Sequence, residues 1–105
     1  MAKIVWAEPA LTDLNSIAEY IALDKVDAAK KLVKHVFQAV DRLADFPESG
    51  RRPPELKRSQ YREVIVGPCR IFYRVQETTV LILYVMRGER ELRNYILDER
   101  AASES

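Results

Sequence analysis

The sequence contains one cysteine, one histidine, one tryptophan and three glycines in 105 residues. A single cysteine, Cys69, permits no internal disulfide and no thiolate-rich zinc site, and it favours a reducing compartment. His35 has no second histidine or cysteine ligand to share a metal with. Its helical position, beside Lys31, Gln38 and Arg42, marks a surface residue, so no structural or catalytic metal is expected. Gly50, Gly67 and Gly88 are too widely spaced to write a phosphate-cradling loop or a dinucleotide fingerprint, and no nucleotide cofactor, nor any other, is expected. Ser16, Ser49 and Ser59 have no plausible base, which argues against a nucleophilic triad.

Charge of one sign and long apolar runs are also missing. Seventeen basic residues face sixteen acidic ones, so the chain as a whole has no nucleic-acid-binding charge, and any basic site must be local. Val80 to Met86 is the longest apolar run, far below the ~20 residues of a membrane span. The N-terminus reaches Glu8 and Pro9 before any signal-peptide-like apolar core, so a cytoplasmic protein without membrane association is expected. What remains is an ordinary globular composition, 48% hydrophobic and 31% charged, and information must lie in its arrangement.

Ile4-Val5-Trp6 is β-prone, and Pro9 suits the first turn of a helix. Leu14, Ile17, Ala18 and Ile21 then recur with helical spacing, predicting a helix over about 9–23. Asp24 or Asp27 is placed to cap a second helix, in which Ala29, Leu32, Val33, Val36, Phe37, Val40, Leu43 and Ala44 keep the period up to Pro47. The short connection makes the two helices an antiparallel hairpin. Trp6 and Phe37 read as core anchors. Residues 47–58, with three prolines and Gly50, read as an exposed loop in which Arg51, Arg52, Lys57 and Arg58 are solvated.

Tyr61–Val66 and Cys69–Gln76 are strand-like runs joined by Gly67-Pro68, which suits a type II′ hairpin turn. A third run, Thr79–Met86, follows Glu77-Thr78 and completes an antiparallel meander. The register places Val64, Val66, Cys69, Ile71, Tyr73 and Val75 toward the helices. Tyr61, Glu63, Ile65, Arg70, Phe72 and Arg74 fall on the other face. Continued into the third strand, it adds Leu81, Leu83, Val85 and Arg87 to that outer face, with Arg87 near Arg70. Three arginines and two aromatics would then share an open surface, able to bind phosphate or carboxylate, or neutralised through Glu63 in ordinary cross-strand ion pairs. A short helix is expected over 89–97, within a single domain spanning 1–100, and 101–105 should fray.

The order of strand, two amphipathic helices, Phe46-Pro47-Glu48-Ser49-Gly50-Arg51, Tyr61-Arg62-Glu63, Arg70-Ile71-Phe72-Tyr73-Arg74-Val75 and Val80–Arg87 spans nearly the whole chain. It resembles the ParE/RelE superfamily of toxins from type II toxin–antitoxin systems. The resemblance implies an α+β fold with helical hairpin and sheet in two layers. It also implies one of two activities: ParE-like inhibition of DNA gyrase, as found in plasmid stabilization systems, or RelE-like cleavage of messenger RNA on the ribosome. A third possibility is a relative that binds without toxicity.

For cleavage, the family's strand arginine matches Arg70 and its second arginine matches Arg87 or Arg90. Tyr95 is the C-terminal aromatic and Glu55 the loop carboxylate. The spacing of Tyr95 from Gly88 and the position of Glu55 both depart from the RelE pattern, and the long helical hairpin and near-neutral charge favour the ParE branch, a gyrase inhibitor rather than an enzyme. The resemblance further implies a cognate antitoxin encoded nearby, forming a hetero-oligomer of even stoichiometry. Arg70, Phe72, Arg74, Arg87, Arg90 and Arg93 are the expected residues for docking antitoxin or target.

Overall fold

The computed structural model describes residues 1–88 and 92–104, apart from the Asn94 side chain. Its elements are β1 (Lys3–Trp6), α1 (Glu8–Ala22), α2 (Val26–Asp41), β2 (Tyr61–Val66), β3 (Cys69–Gln76), β4 (Thr79–Arg87) and α3 (Asn94–Ser103), with short 3₁₀ turns at Arg42–Ala44 and Pro54–Leu56. Pro9 lies in the first turn of α1, as its missing N–H predicts. The start of α2 differs from expectation: Lys25 is the capping residue, and no side chain caps the helix. Neither Asp24 nor Asp27 is used. The acidic residue in the first turn, Asp27, still complements the helix dipole.

The sheet has the order β1-β4-β3-β2, with β1 parallel to β4 and the other pairs antiparallel. β4 is thus flanked on both sides and reads as a continuous apolar run, as a doubly covered strand should. Both hairpins close on two residues whose first has positive φ, Gly67 and Glu77. Glycine adopts that conformation freely, and glutamate does so at about 1 kcal/mol.

Leu14, Leu32, Val36, Val40 and Leu43 of the helical layer pack on Cys69, Ile71, Tyr73, Val80, Ile82 and Val85 in the first core. Each fully buried aliphatic contributes roughly 1.5–3 kcal/mol, and a charge at fully buried Val36 would open this layer. Trp6 and Phe37 meet at 5.1 Å between ring centroids, but Phe37 lies at the rim and is exposed.

The other face of the sheet is not open. Leu92, Leu97 and Ala101 pack against Tyr61, Phe72, Leu81, Leu83 and Met86 in a second core. α3 starts and ends later than the periodicity suggests and buries Ala101, inside the segment expected to fray.

A second difference concerns β4. Its register slips between Phe72 and Tyr73, so that Phe72 pairs with Tyr84 whereas Tyr73 pairs with Ile82. The extra residue, Leu83, makes a β-bulge, which reverses side-chain alternation beyond it. Leu81 and Leu83 face outward as expected, but Val85 belongs to the helix-facing core. Arg87, opposite Cys69, lies on that same side with its guanidinium 5.0 Å from the Tyr20 ring of α1. It is therefore not a neighbour of Arg70.

The bulge exposes backbone groups that need partners. The Val85 N–H donates to Asp13 Oδ2 of α1 at 3.1 Å, and Arg100 of α3 donates to the Leu83 carbonyl at 3.0 Å. Arg100 and Asp13 are themselves paired at 2.6 Å. One ion pair thus ties both helical layers to the irregular point of the sheet.

Candidate functional site

Arg70 is brought beside Glu63 by the hairpin register, since Ile65 faces Arg70 and Glu63 sits one diagonal step away. Its Nε donates to Glu63 Oε1 at 2.7 Å and its Nη2 to Oε2 at 3.1 Å. The loop delivers a second carboxylate. Pro53 and Pro54 set up the 3₁₀ turn that carries Glu55, whose two oxygens accept from Arg70 Nη1 and Nη2, both at 2.8 Å. Arg51 completes the group, its Nε donating to Glu63 Oε2 at 3.1 Å. The Glu63 side chain is fully buried and that of Arg70 nearly so.

Two cations and two carboxylates therefore cancel. The Arg70 hydrogen bonds, the largest influence, hold the Glu55 carboxyl at about 2, well below its usual value. Glu55 first and Glu63 second push the Arg70 guanidinium upward in turn, against the opposing effect of burial. The guanidinium also stacks over Phe72, 5.0 Å from its centroid, and Phe72 is itself sealed in the second core.

The remaining expected residues are dispersed. Arg74 does not share Glu63. Its Nη2 donates to Gln76 at 2.7 Å, while its Nε is buried without a hydrogen-bond partner among the described residues. Tyr95 is exposed on α3, and Arg93 is exposed just before it. Arg90 lies outside the described residues. His35 is exposed, and no cluster of metal-ligating side chains occurs among the described residues. Arg51, read from the sequence as solvated loop charge, is instead bonded to a buried carboxylate.

Other features were missed by pattern reading. Tyr73 occupies an otherwise aliphatic face, and a buried hydroxyl requires partners. It donates to the Pro47 carbonyl at 2.8 Å and accepts the Gly50 N–H at 2.9 Å, pinning the loop. Tyr61 donates to Asp98 of α3 at 2.6 Å, and burial first, then Asp98, pushes its hydroxyl up to about 12. The hydroxyl in the core was a legible signal for Tyr73. Nothing local to Asp98 or Arg100 announced their partners.

Residues 4–92 match the model of the ParE toxin of type II toxin-antitoxin system, parDE. The chain belongs to the ParE toxin family. Among curated relatives, it is 36% identical over 91 residues to Toxin RelE2 of Caulobacter vibrioides, an alignment covering 86% of this toxin and 99% of the relative. It is 38% identical over 91 residues to Putative toxin Y4kP of Sinorhizobium fredii, covering 85% and 91% of the two chains. Among solved structures, a chain described as the chromosomal ParDE TA system from P. aeruginosa matches with a TM-score of 0.70 at 24% identity, covering 85% of this toxin and 98% of that chain. The likeness to this structure supports the α+β fold. The charge quartet and the bulged strand lie inside the segment matched by the family model, whereas α3 lies beyond it.

Proposed function

We propose that this toxin acts by binding and inhibiting DNA gyrase, without nuclease chemistry of its own, and that a cognate antitoxin neutralises it in the cytoplasm as a hetero-oligomer of even stoichiometry. The observation supporting this reading is the state of the arginines expected to act together. Stabilising a phosphoryl transition state requires donors aimed at developing charge and not already satisfied. Arg70 spends its donors on two carboxylates, and Arg87 stands on the other face of the sheet. A strongly bonded carboxylate such as Glu55, held near 2, is also a poor base at neutral pH. Arg70 is then a structural residue, and docking falls to exposed surfaces around it.

The experiment is a supercoiling assay with purified gyrase and antitoxin-free toxin. Loss of supercoiling that is restored by antitoxin is the expected result, and no inhibition at large excess would sink this reading. The name of the Caulobacter vibrioides relative keeps ribosome-dependent cleavage as a second reading. Its test is cleavage of a translated message, with Arg70→Ala and Tyr95→Phe as controls; cleavage indifferent to both would reject that site assignment. Harmless expression with neither response would leave a binding-only relative.

A further inference from the structure

The helical hairpin carries apolar residues on a side that the sheet leaves uncovered. Leu11, Ala18 and Ala22 recur on α1 at i, i+7 and i+11, and Val26, Val33 and Phe37 do so on α2. That spacing draws one straight line along each helix. The two lines run side by side, with a shallow and almost wholly apolar cavity of about 370 Å³ between Ala18 and Ala22 of one and Val26 and Val33 of the other. Leu11 is 42% exposed, Phe37 37% and Val26 55%. The core beneath uses different positions, among them Leu14, Leu32 and Val36.

The walls of this groove differ in charge. Glu19 stands on the α1 wall and Lys30 on the α2 wall, both lining the cavity and both exposed. Asn15 donates to Glu19 Oε1 at 2.9 Å, which orients the carboxylate without neutralising it. Neither Glu19 nor Lys30 is in an ion pair among the described residues. An apolar groove with one acidic and one basic wall at the same height is complementary to itself. Under a two-fold rotation about an axis parallel to the helices, α1 of one copy lies over α2 of the other. Glu19 then meets Lys30 of the second copy at two symmetric places, and the apolar lines close on each other as a four-helix layer. A two-fold across the helices would instead set carboxylate on carboxylate.

We propose that the outward groove of the helical hairpin is a self-association surface, occupied by the same groove of a second copy of the antitoxin-free toxin. Helices of 15 and 16 residues offer a face roughly 22 Å long. Such a face buries on the order of 1,000 Å² in total, the small end of specific interfaces, and a dissociation constant on the order of 10 μM is expected.

The test is sedimentation equilibrium of antitoxin-free toxin over a concentration series, with circular dichroism to verify that each variant is folded. Wild-type toxin should pass from monomer to dimer across the micromolar range. Val26→Asp places a charge in the groove at an exposed helix start, and it should leave a folded monomer. Glu19→Lys and Lys30→Glu should each weaken association at least about tenfold at low salt, since one substitution alters two symmetric contacts, and less at high salt. Mixing these two variants brings unlike walls together again. A one-to-one mixture should therefore dimerise about as well as the wild type, and so should the double reversal in a single chain.

Toxin that stays monomeric at hundreds of micromolar overturns the proposal. A dimer indifferent to Val26→Asp and to both charge reversals places the interface elsewhere and overturns it as well. Failure of the mixture to recover association rejects the two-fold pairing of Glu19 with Lys30. A monomer whose Ala18, Ala22 and Val33 amides gain hydrogen-exchange protection only when antitoxin is added assigns the groove to the antitoxin instead of a second copy. None of these results depends on whether the toxin acts on gyrase.

Discussion

Replacing Arg70 by methionine separates a structural from a catalytic arginine. The side chain makes four hydrogen bonds to two carboxylates, and one of these, Glu63, has no solvent exposure at all. With Arg70 gone, Glu63 keeps only Arg51 among the described residues, and the Arg51 side chain is 55% exposed. Breaking a buried pair in this way costs about 3–5 kcal/mol, because one charge is left without compensation. The half-exposed Glu55 adds no more than about 1 kcal/mol. A domain of this size has only about 5–15 kcal/mol of stability, so Arg70→Met should remove a large share of it and lower Tm by roughly 15 °C or more.

The double variant Arg70→Met, Glu63→Leu removes both charges, and recovery of most of the lost stability is expected, since apolar replacement of a buried pair is often neutral or better. Urea denaturation of the wild type, both single variants and the double variant closes the cycle. Additive losses, or a loss below about 1 kcal/mol for Arg70→Met, would refute the structural account. The folded double variant should also retain growth inhibition; if it is stable yet inert, Arg70 acts directly on the target.

Gly50→Ala should cost about 2–4 kcal/mol by thermal denaturation, since the new methyl meets the Glu63 backbone as well as the Tyr73 hydroxyl, and overpacking there has nowhere to relax. Tyr61, with its hydroxyl raised from 10.0 to about 12, contributes stability that is complete below pH 10 and is lost as pH rises through 12. Tyr61→Phe should flatten that alkaline limb in a melting series from pH 8 to 12. Asp13→Ala takes the acceptor from both Val85 N–H and Arg100, and a loss of about 2–3 kcal/mol is expected, together with faster amide exchange in α3. Unchanged exchange in α3 would show that its apolar contacts and the Tyr61–Asp98 hydrogen bond hold this helix without the ion pair.

Much of this fold was legible because local patterns and tertiary packing agree. The stripe at Leu14 and Ile17, the matching stripe of α2, and the two-residue turn at Gly67-Pro68 each specify an element without reference to the rest of the chain. The β2–β3 register followed from turn length and correctly placed Glu63 against Arg70. Failures began where a long-range partner decides. The outer face looked open because Leu92 and Leu97 are too few to announce a covering helix, and Phe72, Leu81 and Leu83 are equally at home on an exposed sheet or under one. Arg87 was assigned to the wrong face because no residue type marks a bulge at Leu83. Its requirements are met by Asp13 and Arg100, which are 87 residues apart in sequence.

The single residue inserted at Leu83 acts as a reversing switch for the rest of the strand. A homologous chain of equal length that paired its residue 83 regularly with residue 72, without a bulge, would still read Val-Met-Arg after its last aromatic. Its arginine would then project over α3, not over Tyr20, and its methionine would enter the helical core. Two toxins with the same arginine in the same alignment column can thus display that charge on opposite sides of the molecule. Function transferred between them should follow the bulge, not the column.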